Sequence, residues 1–203
     1  MKDRDDTERD DTDRDDTDDR ITAIDDIIRR RRTSMLVDKS RPVDRQVIQD
    51  LCELATWAPN HKRTWPWRFA VVTGDAQLRF GETVAEAMAA FGDEPFKVDK
   101  ARTKYSRTPA VVVIGSVDGD SELRSIENRD ATAAAIQNFM LAATARGLAT
   151  YWGSCPKGAN DPVAHFCEFE AGTTIVAIVY LGWANSLVEP PVRPEPIINY
   201  LER

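Results

Sequence analysis

Residues 128–155 read NRDATAAAIQNFMLAATARGLATYWGSC. The alanine-rich first part forms a long helix, and Gly147 is where such a helix stops. Beyond it the chain runs out through Tyr151, Trp152, Gly153 and Ser154. Small residues beside an aromatic let a backbone approach a planar ring closely. Taken alone, the same residues read by default as a helix C-cap followed by a packed aromatic pair.

On either side lie apolar runs of strand length. TPAVVVIGSV (108–117) precedes the helix and TTIVAIVYLGWA (173–184) follows it after a loop; RFAVVTG (68–74) is a third run. All are rich in β-branched residues and read as buried strands. Other segments have helical spacing. ITAIDDIIRRRR has apolar residues at 21, 24, 27 and 28 and ends in cations, which suit a helix C-terminus. Asp44 can cap a second helix with Val47, Ile48, Leu51, Leu54 and Ala55 on one face, stopped by Pro59. AQLRFGETVAEAMAAF and the stretch up to Ser106 are helical, and VEPPVRPEPIINYLER is a proline-rich extension. Long helices alternating irregularly with three strands predict a single α+β domain around a small sheet. Neither GxGxxG nor GxxxxGK[ST] occurs, so the usual nucleotide-binding loops are absent.

Composition narrows the function classes. The 203 residues are 42% hydrophobic, enough for a sizeable core, yet no run of eighteen apolar residues could span a membrane. The N-terminus is polar from its second residue, unlike a secretory signal. Three dispersed cysteines without a CxxC favour a reducing cytoplasm over a disulfide framework. Residues 1–20 repeat RDDT and hold eleven acids against five bases, −6 of the formal −7. This segment is expected to be a disordered acidic tail, leaving 21–203 as the folded domain. The nearly neutral remainder lacks the basic stripe of a nucleic-acid binder.

Four clusters carry chemistry. RRRRTS (29–34) can grip a phosphate through bidentate guanidiniums and hydroxyls, or be a solvated helix end. WAPNHKRTWPWRF (57–69) packs three tryptophans, two prolines and His61 among cations; core aromatics with a solvated loop would account for it too. With only His61 and His165 present, a multi-histidine metal site is excluded. ARGLATYWGSC (145–155) is the third cluster, and PPVRPEP, with Arg193 its sole cation, is an extended fourth.

Each cluster alone is ambiguous, but their order and spacing together are not. An RR[ST] after a first helix, a helix closing in APNH, PWRF entering a strand, then QN…LAA…GL…YWGS, IVA…YLG and a Pro/Arg arm follow one another. In this the chain resembles the nitroreductase family of FMN-dependent NAD(P)H oxidoreductases, and most its short, single-domain branch, from about residue 24 to the C-terminus.

The resemblance implies a small, mostly antiparallel sheet surrounded by helices, in an intertwined homodimer with FMN at the subunit interface. It implies that Arg31, Arg32 and Thr33 hold the FMN phosphate and ribityl chain, with threonine in place of the commoner serine. It points to Trp57 and His61, and with them Lys62, beside the flavin, to Trp152, Gly153 and Ser154 against its ring or ribityl, and to Arg193 near the phosphate, often from the neighbouring subunit. Ala145, Arg146, Gly147, Leu148, Ala149 and Thr150 match the turn expected to meet the nicotinamide cofactor. Many relatives carry Asn and Gln where this chain has Arg63 and Trp65, so amide contacts to flavin do not carry over. The implied activity is ping-pong hydride transfer from NAD(P)H to a small electron-poor acceptor such as a nitroaromatic or quinone, with FMN rather than a catalytic side chain carrying the chemistry. The fold also hosts dehalogenation, dehydrogenation and flavin fragmentation, and a non-enzymatic FMN store or redox sensor is the alternative from another class.

Overall fold

The structure, a computed structural model, describes the backbone of residues 7–202 and the side chains of 17–202. Its helices are α1 (Thr7–Arg30), α2 (Arg45–Ala55), α3 (Ala76–Phe91), α4 (Pro95–Lys104), α5 (Glu122–Ala145) and α6 (Asn160–Phe166). Its strands are β1 (Trp67–Thr73), β2 (Ala110–Val117), β3 (Leu148–Gly153) and β4 (Thr173–Trp183). The strands form one antiparallel sheet in the order β1-β2-β4-β3. This is the α+β architecture that the sequence predicts.

Side-chain alternation along the central strands splits the core in two. Ala110, Val112 and Ile114 of β2 join α2 and α5 on one face, while Val111 and Val113 join α3, α4 and α6 on the other. The β2–β4 register slips between Ile114 and Gly115, which pair with Ala177 and Ile175. Val176 is therefore the extra residue of a bulge, and Ile175 and Ala177 fall into opposite cores. Gly81 lets α3 and α4 touch: a Cβ there would lie 2.2 Å from the Arg102 carbonyl oxygen.

Several expectations are corrected. The segment taken as a run-out after Gly147 is a fourth strand, β3, because the free edge of β4 offers it hydrogen-bond partners. The loop before β4 contains α6. β1 is an edge strand rather than a buried one, with Val71 exposed. Leu54 is exposed at the rim, although Ile48, Leu51 and Ala55 of α2 are buried as expected. The first helix starts at Thr7 rather than near Ile21, so the described part of the acidic segment continues it; extending an existing helix costs far less than nucleating one. Residues 17–20 are exposed, and residues 1–6 lie outside the described residues. Among the described residues no helix is long and apolar enough to cross a membrane.

Candidate functional site

The RRRRTS segment leaves α1 and docks on the edge of the sheet. The Ser34 amide donates to the Thr150 carbonyl at 2.9 Å, and Thr33 bridges Thr150 in parallel register. The first and third sequence clusters thereby become neighbours. Arg29 and Arg30 pair with Asp25 and Asp26 one turn back. Arg31 and Arg32 have no carboxylate partner among the described residues. Burial lowers the Arg31 pKa from its ordinary value, and the nearby charges of Arg32 and Arg193 lower it further. Arg32 spends Nη1 on the Arg31 carbonyl, 2.7 Å away, and its Nε is buried without an acceptor.

The C-terminal arm brings this chain's own Arg193 to the same place. Arg31, Arg32, Gln137, Pro190 and Arg193 line a cleft of about 500 Å³. Unneutralised, partly buried guanidiniums are costly unless an anion completes them, and their planar forks match phosphate oxygens. A second cleft, of about 310 Å³, adjoins it under the arm, lined by Arg32, Ser34, Thr144, Gly147 and Leu148 among others.

Further along β3, Trp152 and Ser154 are exposed and Gly153 is half-buried. The Trp152 indole N–H donates to the Val176 carbonyl at 3.3 Å, so the β4 bulge fixes the ring. The turn expected to meet nicotinamide divides. Ala145, Arg146 and Gly147 are exposed, with Gly147 left-handed at φ 76° as α5 ends. Leu148, Ala149 and Thr150 are strand residues with their side chains in the interior, a consequence of the unforeseen β3.

Trp57 and His61 sit elsewhere. Both are exposed at the end of α2 and in the turn after it, Trp57 at 79%. That turn is tied to the first half of α5, where the Thr64 hydroxyl donates to Asn128 Oδ1 at 2.6 Å. The arginine cluster lies beside Gln137 and Thr144 in the second half. At 1.5 Å per residue, Asn128 and Gln137 are roughly 13 Å apart along the helix. Within one chain the two halves of the expected site are separate.

One half-buried cation carries no sequence signal. Burial lowers the Lys104 pKa, its ammonium lies 4.7 Å from the Tyr105 ring centre, and it has no carboxylate partner among the described residues. It sits in a helix of ordinary basic residues, so nothing in the local pattern distinguishes it.

The model of the nitroreductase family matches residues 28–183. The chain belongs to the nitroreductase family. Over 169 residues it is 33% identical to the "Putative NAD(P)H nitroreductase YfhC" of Bacillus subtilis (strain 168), covering 81% of this chain and 86% of that one. Among solved structures, a nitroreductase-like family protein from Bacillus cereus superposes with a TM-score of 0.70 at 28% identity, over 85% of this chain and 91% of that one. The FMN-dependent nitroreductase NfnB of Mycobacterium smegmatis, solved in complex with NADPH, shares the fold at a TM-score of 0.65 and 20% identity, over 81% and 89%. The nitroreductase match begins at Ile28, beside the four arginines, and ends with β4 at Trp183. It leaves the acidic segment and the arm bearing Arg193 outside.

Proposed function

We propose that this chain is an FMN-dependent oxidoreductase that takes hydride from NAD(P)H and reduces electron-poor acceptors, such as nitroaromatics or quinones, in alternate occupancy of one site. The observation that carries this reading is the convergence of Arg31, Arg32 and Arg193 on one cleft with no carboxylate among them. A flavin phosphate is the anion that fits: it supplies the acceptor that the buried Arg32 Nε lacks and relieves the repulsion around Arg31. Trp152, Gly153 and Ser154, on the strand to which this segment is bonded, provide a wall for ribityl and ring. FMN held there supplies the two-electron chemistry between nicotinamide and acceptor. The chain's own part is to grip, orient and exclude water, and no side chain is assigned a catalytic acid or base role.

The site is completed by a second copy. A two-fold axis that sets two α5 helices antiparallel places the Trp57–His61 turn of one beside the arginine cluster of the other. The half-exposed Ala133, Ala134, Asn138 and Leu141 offer a small-residue face for that contact. Val192, Ile197, Tyr200 and Leu201, all exposed on an arm without regular structure, are suited to wrapping a partner. His61 and Trp57 then border the flavin as the resemblance implies.

The test is a visible spectrum of the purified protein before and after anaerobic addition of NADPH and, separately, NADH. Flavin absorption bleached by a nucleotide supports the reading. Bound flavin that neither nucleotide reduces removes the NAD(P)H oxidoreductase assignment, and a protein that cannot be loaded with FMN removes the site.

A further inference from the structure

We propose that Cys155 and Cys167 are a modification site, two thiols that a hydroperoxide joins in a reversible disulfide, with Lys104 the cation that makes Cys155 react first. The site lies on the face of the sheet away from α5 and is independent of the oxidoreductase reading above.

The three cysteines are free, and each is half-buried. The sheet sorts them. Cys52 packs against the core shared with α2 and α5, whereas Cys155 and Cys167 both pack against the core of α3, α4 and α6. Between those two the chain doubles back. Cys155 comes two residues after Gly153, the last paired residue of β3. The Ala159 amide then donates to the Pro156 carbonyl at 3.1 Å, closing a turn in which Gly158 has a φ of 75°. A Cβ on Gly158 would lie 2.7 Å from the Phe91 ring, so the turn is seated on α3.

The turn returns α6 over the core that Cys155 touches, with Val163 and Ala164 buried in it. Asn160 pins the start of α6 to β4: its Oδ1 accepts the Ile175 amide at 2.8 Å, and its Nδ2 donates to the Thr173 carbonyl at 3.2 Å. Cys167 closes the helix, its amide donating to the Val163 carbonyl at 3.0 Å. The two thiols are near enough to act on each other. Burial raises the Cys167 pKa, and the charge of Cys155 raises it further, to about 12.

Lys104 gives the pair its order. Its side chain lies over the Tyr105 ring with no carboxylate partner among the described residues, which leaves the ammonium to act on the Cys155 thiol. Burial pushes Cys155 up too, but Lys104 opposes it and the thiol stops at about 11. The thiolate is the nucleophile, so Cys155 attacks first. Its sulfur takes one oxygen of the hydroperoxide and the O–O bond breaks. The other oxygen leaves as water, or as the alcohol of an organic hydroperoxide, with the thiol proton. The Cys167 sulfur then displaces hydroxide from the Cys155 sulfenic acid, and that hydroxide leaves as water with the second thiol proton. Two thiols lose two electrons, and one hydroperoxide gains them. Both thiols are mostly protonated at neutral pH, so the bridge answers sustained exposure rather than a brief pulse.

The test incubates the purified full-length chain with hydrogen peroxide, blocks the remaining thiols with iodoacetamide and digests with trypsin. Lys157 lies between the two cysteines, so their peptides separate unless they are bridged. A bridged pair carrying Cys155 and Cys167 is expected, within one chain on a non-reducing gel, reversed by dithiothreitol and leaving Cys52 as a thiol. Cys52→Ser should bridge like the parent, and Cys167→Ser should stop at a Cys155 sulfenic acid that dimedone traps. Lys104→Gln should bridge at least about threefold more slowly, and Lys104→Arg should restore the rate. A Cys155 sulfenic acid that stays unlinked in the parent, a bridge through Cys52 or only between chains, or thiols that react in urea and never in the folded chain would each overturn the pair. An unchanged rate in Lys104→Gln, with or without a change in its urea midpoint, would overturn the part given to Lys104.

Discussion

The amide of Ser34 donates to the carbonyl of Thr150, joining the end of the arginine run to the edge of β3. That bond converts two ambiguous sequence patterns into one site. It holds Arg31 and Arg32 where Arg193 can reach them, and it sets the run two residues from Trp152 on the strand. The cost is an accumulation of like charge, since Asp25 and Asp26, the carboxylates one turn back, are spent on Arg29 and Arg30.

Replacing Arg31 or Arg32 by glutamine should therefore affect ligand binding and fold stability in opposite directions. A hydrogen bond to a charged group is worth about 1.5–3 kcal/mol, so FMN should bind about 10- to 100-fold more weakly. The flavin-free protein should be unchanged or slightly more stable, because a repelling charge is gone. Fluorescence quenching of FMN on titration, with urea melts of the flavin-free protein, reads both. A variant that binds FMN normally would remove the phosphate role.

What the sequence makes legible here follows from burial. β2 and β4 are covered on both faces and read as continuous apolar runs, and Asp44 caps α2 as its side-chain chemistry requires, its carboxylate accepting the Gln46 amide at 3.0 Å. β3 is illegible because LATYWG has no strand pattern of its own and is made a strand by the edge of β4. α6 is seven residues with a proline at its third position, too short to show a period. RFAVVTG looks like a core strand, but whether a run is central or at an edge depends on partners far along the chain. The site divides the same way. The arginine run at 29–32 is visible in the sequence as a cluster of charge, whereas the approach of Arg193 to it, the left-handed loop around Trp65 and the half-buried Lys104 are tertiary facts.

Asn128 couples the 60–66 loop to the core, and its removal should loosen the loop before it unfolds the protein. Its side chain is buried, accepts from Thr64 and donates to the Val117 carbonyl. Asn128→Ala takes the buried acceptor from the Thr64 hydroxyl and the side-chain donor from the Val117 carbonyl, and should cost about 1–3 kcal/mol. Amide hydrogen exchange should quicken at Trp65, whose N–H is held by Asn60 within the same network. Loss of stability with unchanged exchange at Trp65 would mean that the loop holds its shape independently of α5.

Deleting residues 1–20 should shorten α1 without disturbing the site. Positions 17–20 are exposed, and no residue before Val37 belongs to the buried core among the described residues. Far-UV circular dichroism should show less helix, while the thermal midpoint, FMN retention and turnover stay as in the full chain. A drop in FMN retention would give the acidic segment a part in the site.

Arg68 and Glu170 tie the start of β1 to the turn before β4, with Arg68 Nε 2.8 Å from Glu170 Oε2 and a second bond at 2.5 Å. The Arg68 hydrogen bond is the main cause that lowers the Glu170 pKa below its ordinary carboxyl value. A carboxylate lowered in the fold contributes stability above its unfolded pKa, about 4.3, and loses that contribution as the pH falls through the folded value. Both side chains are more than a third exposed, so the contribution is screened and should not exceed about 1 kcal/mol. Glu170→Gln should thus melt at a lower urea concentration than the parent at pH 7 in low salt. The gap should narrow in 0.5 M salt, and it should close as the pH falls through the lowered folded value, where the parent carboxyl is protonated too. Urea midpoints of both proteins from pH 7 to pH 3 give the comparison. A gap that widens in acid would mean that Glu170 stabilises the fold through its neutral form, and Arg68 would not be its operative partner.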